Sequence, residues 1–117
     1  MAYDSSIHIV SARRTPIGCL NGSLKKFSAP ELARRVADVT VPNGIRDFVD
    51  QVVLGQVLQA GSGMNTARQV GLNLGIPQTA SAFTINMVCG SGLKAVAIGA
   101  DAIIKGEANL VLAGGVE

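Results

Sequence analysis

Apolar and polar positions along the chain predict short strands separated by helices. Four apolar or β-branched runs predict strands at residues 7–10, 52–58, 82–88 and 109–113. Apolar residues recur at helical spacing in the segments between the later strands and before residue 42. Near-continuous apolar strands joined by helices are typical of a sheet that is buried on both faces. The pattern therefore predicts an α/β fold, βαβαβαβ, with a mixed or parallel sheet and helices on both faces.

Local signals place the ends of the first two helices. Ser28 followed by Glu31 has the form of a capping box, which predicts a helix over residues 29–38. Asn65 or Thr66 can cap a second helix that Gly75 would end near residue 74. The third helix is predicted to follow residue 92 and to stop before the glycine at position 106.

Composition and charge exclude several classes of protein. The chain is 48% hydrophobic and 15% charged, which is enough apolar material for a core and too little charge for disorder. A net charge of +2 provides no strong field, so neither nucleic acid nor a membrane surface is an expected partner. Residues 1–117 are predicted to form one domain, and because the sequence stops directly after a strand we expect that domain to be incomplete.

The two cysteines, Cys19 and Cys89, are far apart and lack the spacing of a metal site. We therefore expect no structural metal and no disulfide framework, and a reducing compartment. The first residues include Asp4 and no long apolar run, so no secretory signal is expected. A cytoplasmic location is the expectation, with mitochondrial and peroxisomal locations left open.

Cys89 is the candidate reactive group, because it lies between the third predicted strand and a helix. Amides at a helix start favour a thiolate, and the Cys89 amide could donate to an oxyanion. Gly90 and Gly92 leave room for a substrate beside the sulfur. The alternative is that Cys89 packs as a small apolar residue, as most free cysteines do. Position alone leaves both open.

The same turn also allows a dinucleotide-binding module. Gly90, Gly92 and Ala95 fit the G-x-G-x-x-A pattern, and Glu117 ends the next strand, where a ribose-binding acid belongs. That fingerprint usually follows the first strand of its fold, which is a point against it here.

Four segments, in order, resemble signatures of the thiolase family, which includes acetyl-CoA acetyltransferases and 3-ketoacyl-CoA thiolases. They are residues 14–18 (RTPIG), 57–69 (VLQAGSGMNTARQ), 85–95 (INMVCGSGLKA) and 113–117 (AGGVE). Together they extend over nearly the whole chain, which identifies it as the front part of a thiolase-like N-terminal domain.

The resemblance implies a function and a site. Cys89 would be the catalytic nucleophile, and an acyl-cysteine intermediate would serve to form or cleave a 3-ketoacyl-CoA. It implies no cofactor, with acetyl-CoA and other coenzyme A thioesters as substrates. It also implies a homo-oligomer, a dimer or tetramer, in which strand 82–88 pairs across the interface and the loop near Met64 and Asn65 approaches the partner's active site.

Several of the family's signature residues have no counterpart in this sequence. The family uses a histidine in Gly-His-Pro, an asparagine that helps to hold a water, and a cysteine in Cys-x-Gly-Gly-Gly. His8 and Cys19 match none of these motifs and inherit no role. We therefore expect the isolated chain to be a poor or inactive enzyme. A third hypothesis is a non-catalytic, truncated interaction fragment.

Overall fold

The computed structural model describes residues 6–117, in which helices and strands alternate. The elements in chain order are α1 (Ala29–Thr40), a 3-10 helix (Asn43–Phe48), β1 (Gln51–Gly55), α2 (Thr66–Leu74), β2 (Ser81–Ile85), α3 (Ser91–Ile104) and β3 (Val111–Gly115). The predicted α/β class is confirmed, and every strand pairing in the described part is parallel.

The sheet positions the site, because all its strands end at one edge. Within residues 6–117 it has three strands in the order β2-β1-β3. Gln51 is level with Ser81 on one side and with Val111 on the other. The carboxylate of Asp50 fixes the opposite edge by accepting from the amides of Asn109 and Leu110, at 2.7 and 3.2 Å.

Alternate residues of the central strand face two different layers. Val52 and Leu54 belong to a core with α1 and α2, and Val52 lies under Gly71 of α2. On the other face, α3 lies so close to β3 that a Cβ at Gly99 would be 3.0 Å from Val111. Val53 is fully buried and outside the first core. Helices therefore cover both faces, and each completely buried valine stabilises the fold by roughly 1.5–3 kcal/mol.

The predicted first strand is wrong. Residues 7–10 have no strand in the structure, and His8, Ile9 and Val10 are exposed. A β-branched run forms a strand only where it lies against a partner, and residues 7–10 pair with none of β1, β2 and β3. The other three strands are present with different bounds from those predicted. β1 and β2 end earlier, and β3 extends through Gly115.

The helix predicted at residues 29–38 is present and extends two residues further, as α1. Ser28 and Glu31 form the predicted capping box. The 3-10 helix that follows was not predicted, and it carries Arg46. The Arg46 guanidinium donates to the carbonyls of Val41, Leu74 and Asp38 and pairs with the Asp38 carboxylate at 2.7 Å, so that it ties α1 to the end of α2.

Candidate functional site

The candidate site is the short turn between β2 and α3, at the carboxyl edge of the sheet. β2 ends at Ile85, α3 begins at Ser91, and Cys89 lies between them with its side chain exposed. This exposure excludes the alternative in which Cys89 packs as a buried apolar residue within the described chain. The sequence correctly places it at a strand-to-helix turn.

The residue before the cysteine has an unusual backbone conformation. Val88 has a φ of +50°, in the left-handed region that β-branched residues rarely adopt. Such a conformation costs on the order of 1–3 kcal/mol and persists only where surrounding contacts impose it. One such contact is a bond of 2.9 Å in which the Val88 amide donates to the side-chain oxygen of Asn86.

Ser91 supplies the other contacts that hold the turn. Its hydroxyl accepts from the Met87 amide at 2.8 Å and donates to the Val88 carbonyl at 2.6 Å. Its own amide also donates to the Val88 carbonyl, at 3.1 Å. Ser91 is only 4% exposed, so these bonds are shielded from water. The turn preceding α3 is therefore closed by one buried side chain.

Glycines let the start of α3 lie directly on the sheet. A Cβ at Gly55 would come within 2.5–2.6 Å of the Ser91 backbone and Cβ. A Cβ at Gly115 would be 2.9 Å from the Cα of Gly92. Distances below 3.0 Å are not tolerated without movement, and both contacts involve backbone atoms, which cannot swing aside. The start of α3 therefore rests on two strand positions that only glycine can occupy.

An open depression of about 500 Å³ lies beside the cysteine. Its walls are the ends of β1 and β3 and the start of α3. The lining residues are Gly55, Gln56, Val57, Val88, Cys89, Ser91, Gly92, Gly115, Val116 and Glu117. A second depression, walled by residues 12–16 of the segment before α1, contains neither cysteine.

Backbone amides at the start of α3 are available as hydrogen-bond donors. No side chain caps this helix, whose preceding residue is Gly90. Within residues 6–117, the amides of Gly92 and Leu93 have no acceptor. Free amides at a helix start carry partial positive charge and stabilise anions. A thiolate or an oxyanion at Cys89 would therefore lie in a favourable field.

Glu117 is used in a way that differs from the dinucleotide hypothesis. Its two carboxylate oxygens accept from the backbone amides of Val57 and Leu58, at 3.0 and 2.8 Å. Those bonds hold the loop after β1 against the end of β3. Because both oxygens bond to backbone amides of this chain, Glu117 has a structural role that the dinucleotide hypothesis does not include.

Gln56 is a site residue that sequence reasoning missed. It is 1% exposed, and its amide group donates to the Leu58 carbonyl and the Ser62 hydroxyl at 3.0 and 2.9 Å. Its oxygen accepts from the Thr66 hydroxyl. The loop that forms one wall of the depression is therefore built around a buried amide. A lone glutamine at the end of an apolar run was the only available signal.

The remaining sequence candidates lie elsewhere. His8 and Cys19 are exposed in the segment before α1, and neither lines the depression beside Cys89. Residues 6–117 contain no group of three or more metal-ligating side chains. In the same residues, no helix is long and apolar enough to cross a bilayer.

Comparisons with known proteins agree on one family. Residues 7–117 match the family described as "Thiolase, N-terminal domain". An acetyl-CoA acetyltransferase of Cupriavidus necator is 49% identical over 115 residues, which are 97% of this chain and 29% of that protein. One from Escherichia coli is 50% identical over 111 residues, 93% of this chain and 28% of that protein. The chain thus spans less than a third of the length of these relatives.

Solved structures give the same result for the fold. The Acat5 thiolase of Ascaris suum, in complex with coenzyme A, has a TM-score of 0.83 and 36% identity over 90% of this chain and 28% of its own. Human mitochondrial 3-ketoacyl-CoA thiolase, in complex with CoA, has a TM-score of 0.82 and 40% identity over 87% of this chain and 27% of its own.

Proposed function

Because the chain belongs to the thiolase family through its N-terminal domain, we propose that Cys89 is a nucleophile that accepts an acyl group from a coenzyme A thioester. The observation that carries the proposal is the exposed Cys89 thiol at the uncapped start of α3. Relatives of the chain are acetyl-CoA acetyltransferases, and two structural neighbours were solved with coenzyme A. No cofactor is required for this step.

The proposed step is an acyl transfer. The Cys89 thiolate attacks the thioester carbonyl, and the oxygen takes the negative charge of the tetrahedral intermediate. Amide donors at the start of α3 stabilise that charge. The carbon–sulfur bond to coenzyme A then breaks, coenzyme A leaves as a thiolate that takes a proton from water, and the acyl group remains on Cys89.

Completion of the reaction requires a second step. In the synthetic direction a second acetyl-CoA loses a methyl proton, attacks the acyl-cysteine and gives a 3-ketoacyl-CoA, and thiolysis is the reverse. Removal of that proton needs a base beside the sulfur. The histidine of this sequence, His8, is exposed in the segment before α1 and does not line the depression. We infer that these 117 residues hold the acyl group but do not complete the reaction unaided.

A mass measurement tests the acylation. The chain is incubated with acetyl-CoA or a chloroacetyl thioester, and the adduct is located by peptide mapping. We expect one acyl group at Cys89, none in Cys89→Ser, and full labelling in Cys19→Ser, since both thiols are exposed and serve as internal controls for each other. Equal or preferential labelling of Cys19 would overturn the proposal.

The hypothesis of an interaction fragment is supported by apolar side chains on the outer face of α3. Leu93 is 79% exposed and Ile104 is 47% exposed, and exposed apolar side chains that form a patch mark a surface for protein–protein contact. Self-association would bury this face. In oligomers of the family's kind, the outer edge of β2, which has no strand beside it within residues 6–117, would pair as well. Size-exclusion chromatography tests both: a monomer at all concentrations would count against this hypothesis.

A further inference from the structure

We propose that Ser91 is a positioning residue that fixes the orientation of the Cys89 thiol and amide. The inference rests on the proposed role of Cys89 as a nucleophile. It concerns a side chain that does not itself touch the reacting atoms, and it follows from the hydrogen bonds that close the turn.

The first step is that the Ser91 hydroxyl uses both its acceptor and its donor inside the turn. It accepts from the Met87 amide at 2.8 Å and donates to the Val88 carbonyl at 2.6 Å. Ser91 is 4% exposed, so its hydroxyl has these two bonds and little contact with solvent, and its removal takes both bonds away. One oxygen atom thus anchors the Asn86–Met87 and the Val88–Cys89 peptide groups, on either side of the Met87–Val88 peptide.

The second step follows from the planarity of the peptide bond. The Val88 carbonyl and the Cys89 amide belong to the same peptide group, and none in the described chain is cis. In a trans peptide the N–H points opposite to the C=O. Because Ser91 draws the carbonyl toward α3 through its hydroxyl and its amide, the Cys89 N–H is directed away from Ser91. The same contact therefore sets the direction of the amide N–H that would donate to an oxyanion.

The third step concerns backbone preference. Val88 would leave its φ of +50° for an extended conformation if nothing opposed this, since a β-branched side chain is strained there. That rotation would turn the following residue, Cys89, relative to the free amides of α3. Gly55 has no Cβ, which leaves room for the Ser91 backbone against the strand end, where the hydroxyl reaches the turn.

The experiment compares Ser91→Ala, Ser91→Thr and Ser91→Val in a Cys19→Ser background, so that Cys89 is the sole thiol. Thr and Val have the same shape and differ only in the hydroxyl. Two rates are measured for each: alkylation by iodoacetamide and acylation by acetyl-CoA, both at neutral pH. Circular dichroism and a melting curve report the folded fraction, and rates are expressed per folded molecule.

We expect Ser91→Ala and Ser91→Val to slow acylation about 100-fold, because a misaimed nucleophile and donor affect a precise geometry severely. Alkylation, which needs no oxyanion donor, should fall about fivefold through the altered position of the thiol at the helix start. Ser91→Thr should restore both rates. A purely structural serine would instead lower the melting temperature and leave the rates per folded molecule unchanged, and that result would overturn the proposal.

A second variant keeps the proposal falsifiable if Ser91→Ala folds poorly. Glycine adopts a positive φ without strain, so Val88→Gly should reduce the dependence on Ser91. The loss of alkylation rate on Ser91→Ala should then be less than half as large in the Val88→Gly background. An equal loss in both backgrounds would overturn the positioning role.

The two probes also separate this proposal from the proposed function. If acetyl-CoA fails to acylate the chain but alkylation still depends on the Ser91 hydroxyl, the function is wrong and the positioning role stands. If acylation occurs and is unaffected by Ser91→Val, the function stands and the positioning role is wrong.

Discussion

Two turns at the carboxyl edge of the sheet lead from a strand into a helix in opposite ways. The turn from β1 to α2 contains Asn65 at a φ of +52°, and its side chain caps α2. The turn from β2 to α3 contains Val88 at a φ of +50°, yet α3 has no side-chain cap. The backbone takes the same unusual conformation in both, but only the first turn uses its side chains to satisfy the helix.

The difference follows from where the polar groups are directed. In the first turn, Asn65 accepts from the Arg68 amide and also donates to the Ala82 carbonyl, so it binds the helix and β2 together. In the second, Ser91 supports the chain before the cysteine and leaves the amides of Gly92 and Leu93 free of acceptors within residues 6–117. The polar side chain of the first turn bonds to the helix start, whereas the second turn leaves amide donors at the start of α3 without an acceptor in the described residues.

The largest effect is expected where the second turn meets the sheet. Gly55→Ala should lower the free energy of unfolding by about 3 kcal/mol, because the new Cβ overlaps the backbone of Ser91. Urea denaturation measures this, and Gly44→Ala is the control, since a Cβ there meets nothing within 4 Å. A Gly55→Ala protein as stable as the control would mean that α3 does not rest on the strand end as described.

The next effect should separate the two turns. Gln56→Leu removes the buried amide from the first turn and leaves the Ser62 and Thr66 hydroxyls without their partner, at a cost of about 2 kcal/mol. The rate of Cys89 alkylation per folded molecule should not change. Gln78→Leu, at an exposed position, is the control. A lower rate of Cys89 alkylation in Gln56→Leu would show that the two turns are coupled.

The contribution of the Asn65 side chain, its cap together with its bonds to β2, can be measured with a matched pair of asparagines. Asn65→Ala should destabilise the protein by about 1 kcal/mol more than Asn21→Ala, measured by thermal unfolding. Both residues have a positive φ, of +52° and +58°, so the strain of alanine is shared, and only Asn65 caps a helix. If Asn65→Ala and Asn21→Ala lose the same stability, backbone conformation accounts for the whole effect.

The smallest effect concerns the capped start of α1. The hydrogen bond from the Ser28 backbone amide, helped by the Ser28 hydroxyl and by Arg35 and Arg34, lowers the pKa of Glu31 below its ordinary value. The folded state therefore favours the charged carboxylate, and its stabilising contribution is present at neutral pH and lost as the pH falls through the lowered pKa. Glu31→Gln should lower the melting temperature slightly at neutral pH only. Glu107→Gln, beyond α3, is the control, and a difference that persists in acid would exclude ionisation as the cause.

Sequence patterns predicted the parts of this structure that local chemistry determines. Ser28 with Glu31, a cap at Asn65 or Thr66, and Gly75 at the helix end act on neighbouring residues; all three are present, and the structure selects Asn65 as the cap. The position of Cys89 between strand and helix was predicted for the same reason, and its family signature identified the domain.

The features that escaped prediction depend on residues distant in sequence. The conformation of Val88 opposes its own local preference and is imposed by Ser91, which in turn relies on Gly55 from another strand. The bonds of Glu117 join it to Val57 and Leu58, about sixty residues away. The expected first strand had the right composition, but residues 7–10 pair with none of the three strands of the sheet.

The position of β1 in the middle of the sheet has a consequence for the order of folding. Its partners lie about thirty and sixty residues later in the chain, at Ser81 and Val111. During synthesis β1 is therefore made before either of its partner strands. Pairing between strands so distant in sequence is slow. Gly115, on which the start of α3 rests, belongs to β3. Cys89 therefore reaches its final orientation only after β3 has joined the sheet.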